Sequence, residues 1–198
     1  MNLTLQTLSS TIISEILCKT NFDGIVLDTE HGCFDNEKLY SCIQVITSMS
    51  KQCFVRVTDF NKRLIRMCLD AGVHGLIFST IENVNSAEEI LKYCKYPRHG
   101  GNRGMDNINK LKELGFDYFV LGPYDLSSDL GYPSEWQNEK YLLYIDRVRG
   151  IIPKEKLGIF LPTVNQVLES KNETTNYSLL ISGMDTDFLR IGIGECFK

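Results

Sequence analysis

Three ionisable side chains, Asp28, Glu30 and His31, close the stretch DGIVLDTEHGCF, residues 23–34, where an apolar run from Gly24 to Leu27 ends before Gly32. Asp28 and His31 are near enough in sequence for the carboxylate to accept a hydrogen bond from one imidazole nitrogen, fixing the tautomer and leaving the other nitrogen as a base near neutral pH. The same pattern suits a strand-end histidine satisfied by a local turn. Glu30 reads as a structural partner of the other two. Arg56 lies inside the apolar run CFVRV, residues 53–57, where an unpaired charge is costly, so its guanidinium calls for an anion. A protein carboxylate meets that need, and so does the carboxylate or enolate of a bound acid held by the planar fork. Alternation with Val55 and Val57 puts Arg56 on the opposite face of its strand.

A second group gathers in GPYDLSSDLG, residues 122–131. Gly122 and Pro123 turn the chain after an apolar run and let backbone N–H groups point at an anion, while Asp125 offers oxygen to a hard divalent cation. Asp125 equally suits the N-cap of a helix beginning near Leu126. In YPRHGGNRG, residues 96–104, His99 and Arg103 suit a distal carboxylate or phosphate, or a solvated loop. Glu82 reads as a helix-start acid. His74 reads as structural, and Trp136 as a pocket wall or a loop anchor.

Positioning these groups falls to short apolar runs at 3–7, 24–28, 53–57, 75–79, 118–122, 157–161 and 178–182. Segments of helical spacing alternate with them. One puts Leu39, Cys42, Ile43 and Ile46 on a single face, and another, NKRLIRMCLDAG, ends at Gly72 as a C-cap. Strands apolar on both faces and alternating with helices predict a parallel sheet covered by helices. No nucleotide fingerprint favours an open sheet: GGNRG does not follow a strand, and GIG at 192–194 is too short. The polar residues collect where runs end: Asp28, Glu30 and His31 after the second, Glu82 after the fourth and Asp125 after the fifth, with Arg56 inside the third. A (β/α)8 barrel keeps its chemistry at such ends, so the expectation is a TIM-type barrel with one shared mouth.

Composition bounds the setting. The 198 residues, 43% of them apolar, suit one core and one domain, residues 1–198. A net charge of -4 spread along the chain excludes a basic nucleic-acid surface. The amino terminus lacks the pattern of a secretory signal and no apolar stretch is long enough to span a bilayer, so the expected location is cytoplasmic. Seven cysteines at irregular spacing, without a C-x-x-C pair, predict reduced thiols instead of disulfides or a zinc site.

In chain order, FDGIVLDTEHGCFD, FVRVTDFNKRLIRMCLDAGVHGLIF, KYPRHGGNRGM, GFDYFVLGPYDLSSDLGYP and ISGMDTDFL resemble the HpcH/HpaI aldolase and citrate lyase family, from about Ser9 to the carboxyl terminus. The resemblance implies a (β/α)8 barrel, usually a homo-oligomer, that uses Mg2+, Mn2+ or Co2+ to cleave or form carbon–carbon bonds of 2-keto-4-hydroxy acids through a pyruvate enolate. Carried over by position, Asp28 and His31 are the orienting acid and the base, Arg56 steadies the keto acid and its enolate, Gly122 and Tyr124 lie at the substrate carboxylate, and Asp125 is one metal ligand. One departure stands out. The family has a further strand, ending in a glutamine and the glutamate that is the second metal ligand, before the helix that precedes YFVLGP. Here GMDNINKLKELGFDYFVLGP passes directly from one to the other, so about one β-α unit is absent, the barrel is expected to be incomplete, and Glu82 is the candidate to replace the lost ligand if it is not simply a helix-start acid. The expected function is therefore a metal-dependent lyase, with a catalytically impaired binding module or a subunit of a larger assembly as the alternative. A phosphate-binding barrel of another kind would need a Gly-rich loop that LPTVNQVLES does not supply.

Overall fold

Every apolar run in the sequence becomes a strand. A computed structural model of the chain describes residues 1–58, 60–79, 81, 83–94, 115–163 and 176–196. In chain order these form β1 (Asn2–Gln6), α1 (Thr11–Cys18), β2 (Gly24–Asp28), α2 (Asn36–Ser48), β3 (Gln52–Val57), α3 (Lys62–Asp70), β4 (Gly75–Phe78) and α4 (Val84–Cys94). Then follow β5 (Phe119–Leu121), α5 (Pro123–Asp129), α6 (Glu139–Ile151), a 3-10 turn (Lys154–Lys156), β6 (Leu157–Leu161), β7 (Leu179–Met184) and α7 (Asp185–Cys196). The seven strands make one sheet in the order β4-β3-β2-β1-β7-β6-β5, and each neighbouring pair runs parallel.

That order is the order of a barrel. β1 and β7, at opposite ends of the sequence, lie side by side, with Asn2 opposite Leu180 and Leu3 opposite Ile181. Among the described residues, β4 and β5 each pair on one side only, so the seven strands form an incomplete TIM-type barrel. The interruption falls between β4 and β5, the interval in which the resemblance finds a strand-helix unit missing.

Alternation along each strand separates two apolar layers. Outward residues of β2 and β3, including Ile25, Leu27, Cys53 and Val55, pack with Leu39, Cys42, Ile43 and Ile46 of α2 and with Ile65 and Cys68 of α3. Inward residues, among them Leu5, Val26, Phe54, Val120, Phe160 and Ile181, form a second cluster inside the curl. The predicted face of α2 is buried to within 1% of full occlusion, and its N-cap, Asp35, accepts from the Lys38 N–H at 2.7 Å. Gly72, with φ +88°, follows α3 in the left-handed conformation that ends helices.

β1, the weakest run, carries buried polar side chains that are all answered. Gln6 donates through Nε2 to the carbonyls of Leu8 and Ser10 at 2.7 and 2.9 Å and accepts from Ser14 Oγ at 2.8 Å. At the carboxyl end of β7, buried Asp185 accepts from Thr7 N, Thr7 Oγ1 and Leu8 N at 2.8–3.1 Å. This carboxylate fastens the end of β7 to the end of β1 at the rim where the candidate site lies. Among the described residues, no helix is long and apolar enough to cross a membrane.

Candidate active site

Asp28 and Arg56 are the last inward residue of β2 and an inward residue of β3, and the strand register sets them opposite each other. Their pairing follows from that register. Arg56 Nε donates to Asp28 Oδ1 at 2.8 Å and Nη2 to Oδ2 at 2.6 Å, a bidentate fork on a carboxylate that is 0% exposed, while the arginine side chain is 14% exposed. Glu30 completes the cluster, its Oε2 3.1 Å from Arg56 Nη1, and its backbone N–H donates to Asp28 Oδ1 at 2.9 Å. Across the interior, Arg56 Cζ lies 5.6 Å from the centre of the Phe160 ring. Burial works against the arginine's charge, but the hydrogen bond and charge of Asp28, followed by the charges of Glu30 and Asp125, outweigh it and push the guanidinium up from its ordinary value. Arg56 is a permanent cation between two carboxylates: Asp28 occupies the Nε–Nη2 edge, and Glu30 stands as an ion-pair partner beside Nη1.

The strands all run parallel, so the loop after β5 opens on the same rim as the carboxyl ends of β2 and β3. Pro123 occupies the first position of α5 and Gly122 its N-cap, so the helix starts before Leu126 and Asp125 falls within its first turn. Asp125 therefore makes no N-cap hydrogen bond. Its carboxylate folds back over Gly122, where a Cβ would stand 2.9 Å from Oδ2; glycine leaves room for that return. With no hydrogen bond or ion pair among the described residues, this exposed hard oxygen fits a divalent cation as one ligand. No three His, Cys, Asp or Glu side chains among the described residues gather into a fuller metal cluster.

His31 lies in the turn after β2 with its side chain exposed. That turn folds against the ends of β1 and β2, because Gly32 packs so closely on the carbonyls of Asp28 and Thr7 that a Cβ has no room. The expected Asp28–His31 hydrogen bond is not formed; Asp28 is engaged by Arg56 and by the Glu30 N–H instead. Tyr124 is 57% exposed and makes no polar side-chain contact with this cluster. Glu82, His99 and Arg103 lie outside the described residues. His74 stands at the other end of the strands, its Nδ1 accepting from Cys53 N at 3.1 Å, and Trp136 meets the edge of Tyr141 at 5.8 Å, anchoring its loop to α6. The contact between Phe160 and Arg56 escaped the sequence reading, since nothing in LGIFL marks an aromatic that faces a cation from the far wall.

Known proteins share the fold and the sequence pattern. The HpcH/HpaI aldolase/citrate lyase model matches residues 6–111. The 2-keto-3-deoxy-L-rhamnonate aldolase of Klebsiella pneumoniae is 24% identical over 216 aligned positions, which cover 90% of this chain and 80% of that protein. Its namesake from Shigella dysenteriae is 24% identical over 164 positions, covering 64% of this chain and 61% of that one. The crystal structure of an HpcH/HpaI aldolase/citrate lyase family protein from Burkholderia cenocepacia shares the fold with a TM-score of 0.84 at 19% identity, over 99% of this chain and 92% of that one. Fold and sequence together define a carbon–carbon lyase on a parallel barrel. The chain belongs to the HpcH/HpaI aldolase/citrate lyase family.

Proposed function

We propose that the chain is a divalent-metal-dependent aldolase that cleaves or forms 2-keto-4-hydroxy acids through the enolate of pyruvate, and that residues 1–198 act as one barrel domain. The observation that carries this reading is the placement of Arg56: a permanent cation, braced by Asp28 along one edge and by Glu30 beside Nη1, stands inside the barrel at the carboxyl ends of the strands. A guanidinium suits the planar oxygens of a 2-keto acid. Gly122 and Tyr124 would border its carboxylate.

Cleavage breaks the bond between C3 and C4. The 4-hydroxyl gives up its proton, C4 leaves as an aldehyde, and the electron pair of the broken bond becomes the pyruvate enolate, which regains a proton at C3. In this reading His31, exposed on the turn after β2, takes the hydroxyl proton through water and returns it at C3. Arg56 holds the enolate oxygen as negative charge develops there, and Asp28 keeps the guanidinium in place. Asp125 would hold a divalent ion, Mg2+, Mn2+ or Co2+, whose chemistry is to polarise the keto group as a Lewis acid. A homo-oligomer in the cytoplasm completes the proposal. Exposed Ile12 and Ile16 on α1 and Leu189 and Ile193 on α7 are apolar surface in keeping with association.

One observation favours a second reading, a small-acid binding module. Asp28 is bound to Arg56, so among the described residues His31 makes no hydrogen bond or ion pair with a carboxylate. Pyruvate release from 2-keto-3-deoxy-L-rhamnonate, the acid in the relatives' name, and from simpler 2-keto-4-hydroxy acids separates the two. The aldolase releases pyruvate, loses activity on chelation and regains it with Mg2+, Mn2+ or Co2+. A protein that binds pyruvate and never releases it from any of these acids is the module.

A further inference from the structure

Arg56 on β3 and Phe160 on β6 are four strand steps apart through β2, β1 and β7. In a flat sheet, steps of about 4.8 Å would hold their backbones about 19 Å apart. The guanidinium carbon nevertheless lies 5.6 Å from the Phe160 ring centre, so Arg56 crosses the interior of the curled sheet and meets the opposite wall. Its other two contacts come from its own side of the barrel: Asp28 takes one edge and Glu30 stands beside Nη1. Both carboxylates therefore pull on the guanidinium from one wall. The Phe160 ring meets it from the other and is itself attracted to the cation.

We propose that Phe160 is a positioning residue of the keto-acid site, its ring bracing the Arg56 guanidinium from the opposite wall so that the cation stays where the bound anion meets it. This rests on the reading of Arg56 as the group that binds the keto acid. Phe160 acts through Arg56 and needs no contact with substrate. Its strand also pairs with β5, the strand that leads to Gly122 and Asp125, so the same ring sets how far Arg56 stands from that loop. Leucine at 160 would keep apolar packing inside the curl and present no aromatic face.

The test compares Phe160→Leu and Phe160→Tyr with the unaltered protein by two readouts: the Arg56 Nε–H resonance in 15N NMR without ligand, and pyruvate methyl-proton exchange in deuterated water with Mg2+. In Phe160→Leu the Nε–H resonance is expected to move and exchange faster with solvent, and the KM for pyruvate to rise about 3- to 30-fold, the range spanned by cation–π contacts. The kcat should change less than KM. Phe160→Tyr, which keeps the ring, is expected to retain both properties. An unmoved Nε–H resonance and an unaltered KM in Phe160→Leu would overturn the proposal. If Phe160→Leu does not fold, the unaltered protein decides: added pyruvate should shift the Arg56 Nε–H and Phe160 ring signals together, and an Arg56 shift with still ring signals would overturn it. Failure of the unaltered protein to bind pyruvate counts instead against the keto-acid reading, and the ligand-free Nε–H comparison still judges Phe160.

Discussion

Asp28 is fully buried, and its carboxylate is answered from two directions by the Arg56 fork and the Glu30 N–H. Removing one member of a buried pair costs about 3–5 kcal/mol, and Glu30 beside Nη1 offsets only part of the loss of the bidentate fork. Asp28→Ala is therefore expected to lower the midpoint of thermal unfolding by about 6–20 °C, measured by circular dichroism; an unchanged midpoint would show that water already satisfies Arg56. His31→Ala should leave that midpoint in place, since the imidazole is exposed, while slowing pyruvate methyl exchange about 10²- to 10⁴-fold. The thiols offer a separate check. Cys33 is exposed and its pKa is lowered, chiefly by the Ser9 hydroxyl, whereas burial pushes the Cys68 thiol up to about 12 and raises Cys53 as well. Brief iodoacetamide treatment at neutral pH should mark Cys33 ahead of Cys53 and Cys68 in a peptide mass map; equal labelling would mean that the outer core opens. The sequence made the types of these residues legible but not every pairing. Asp28 and His31 are three positions apart, which suggested a local bond, whereas strand register carries Asp28 to Arg56, 28 residues away.

At the scale of elements, strands and helices were readable because each apolar run is short and each intervening segment has one apolar face. β2 and β6 fall on their expected bounds, and α2 buries the expected side chains. α5 starts at Pro123, ahead of the expected start near Leu126. Proline at the first helical position begins the helix earlier than an aspartate cap would, which frees Asp125 to fold back on Gly122. The fastening of β7 to β1 by Asp185 joins residues about 178 apart, beyond the reach of any local pattern. Asp185→Ala would strand the N–H groups of Thr7 and Leu8, and hydrogen bonds to a charged acceptor are worth about 1.5–3 kcal/mol each. The expected result is a loss of about 3 kcal/mol or more in urea unfolding, with Asp185→Asn falling between the two. A loss below 1 kcal/mol, by the same scale, would mean that the two strand ends are held together by pairing alone.

Across the whole molecule, the sheet follows barrel order and is interrupted between β4 and β5 among the described residues, as the missing strand-helix unit led one to expect. The central strands β1 and β2 are paired on both sides, and β5 has only three residues and one described partner. Native-state hydrogen exchange should therefore protect Leu3–Leu5 and Ile25–Leu27 most and Phe119–Leu121 least; equal protection of β5 would reveal a partner on its other side. The proposed chemistry requires the two walls to act together, with Arg56 on one and Asp125 on the other, around an enolate. The most direct measurement is loss of the pyruvate methyl proton signal in deuterated water with Mg2+, followed by NMR. Exchange by the unaltered protein, abolished in Asp125→Ala and reduced in His31→Ala, is the expected result. A methyl signal that decays no faster than in buffer, while pyruvate is demonstrably bound, would contradict enolate formation at this site.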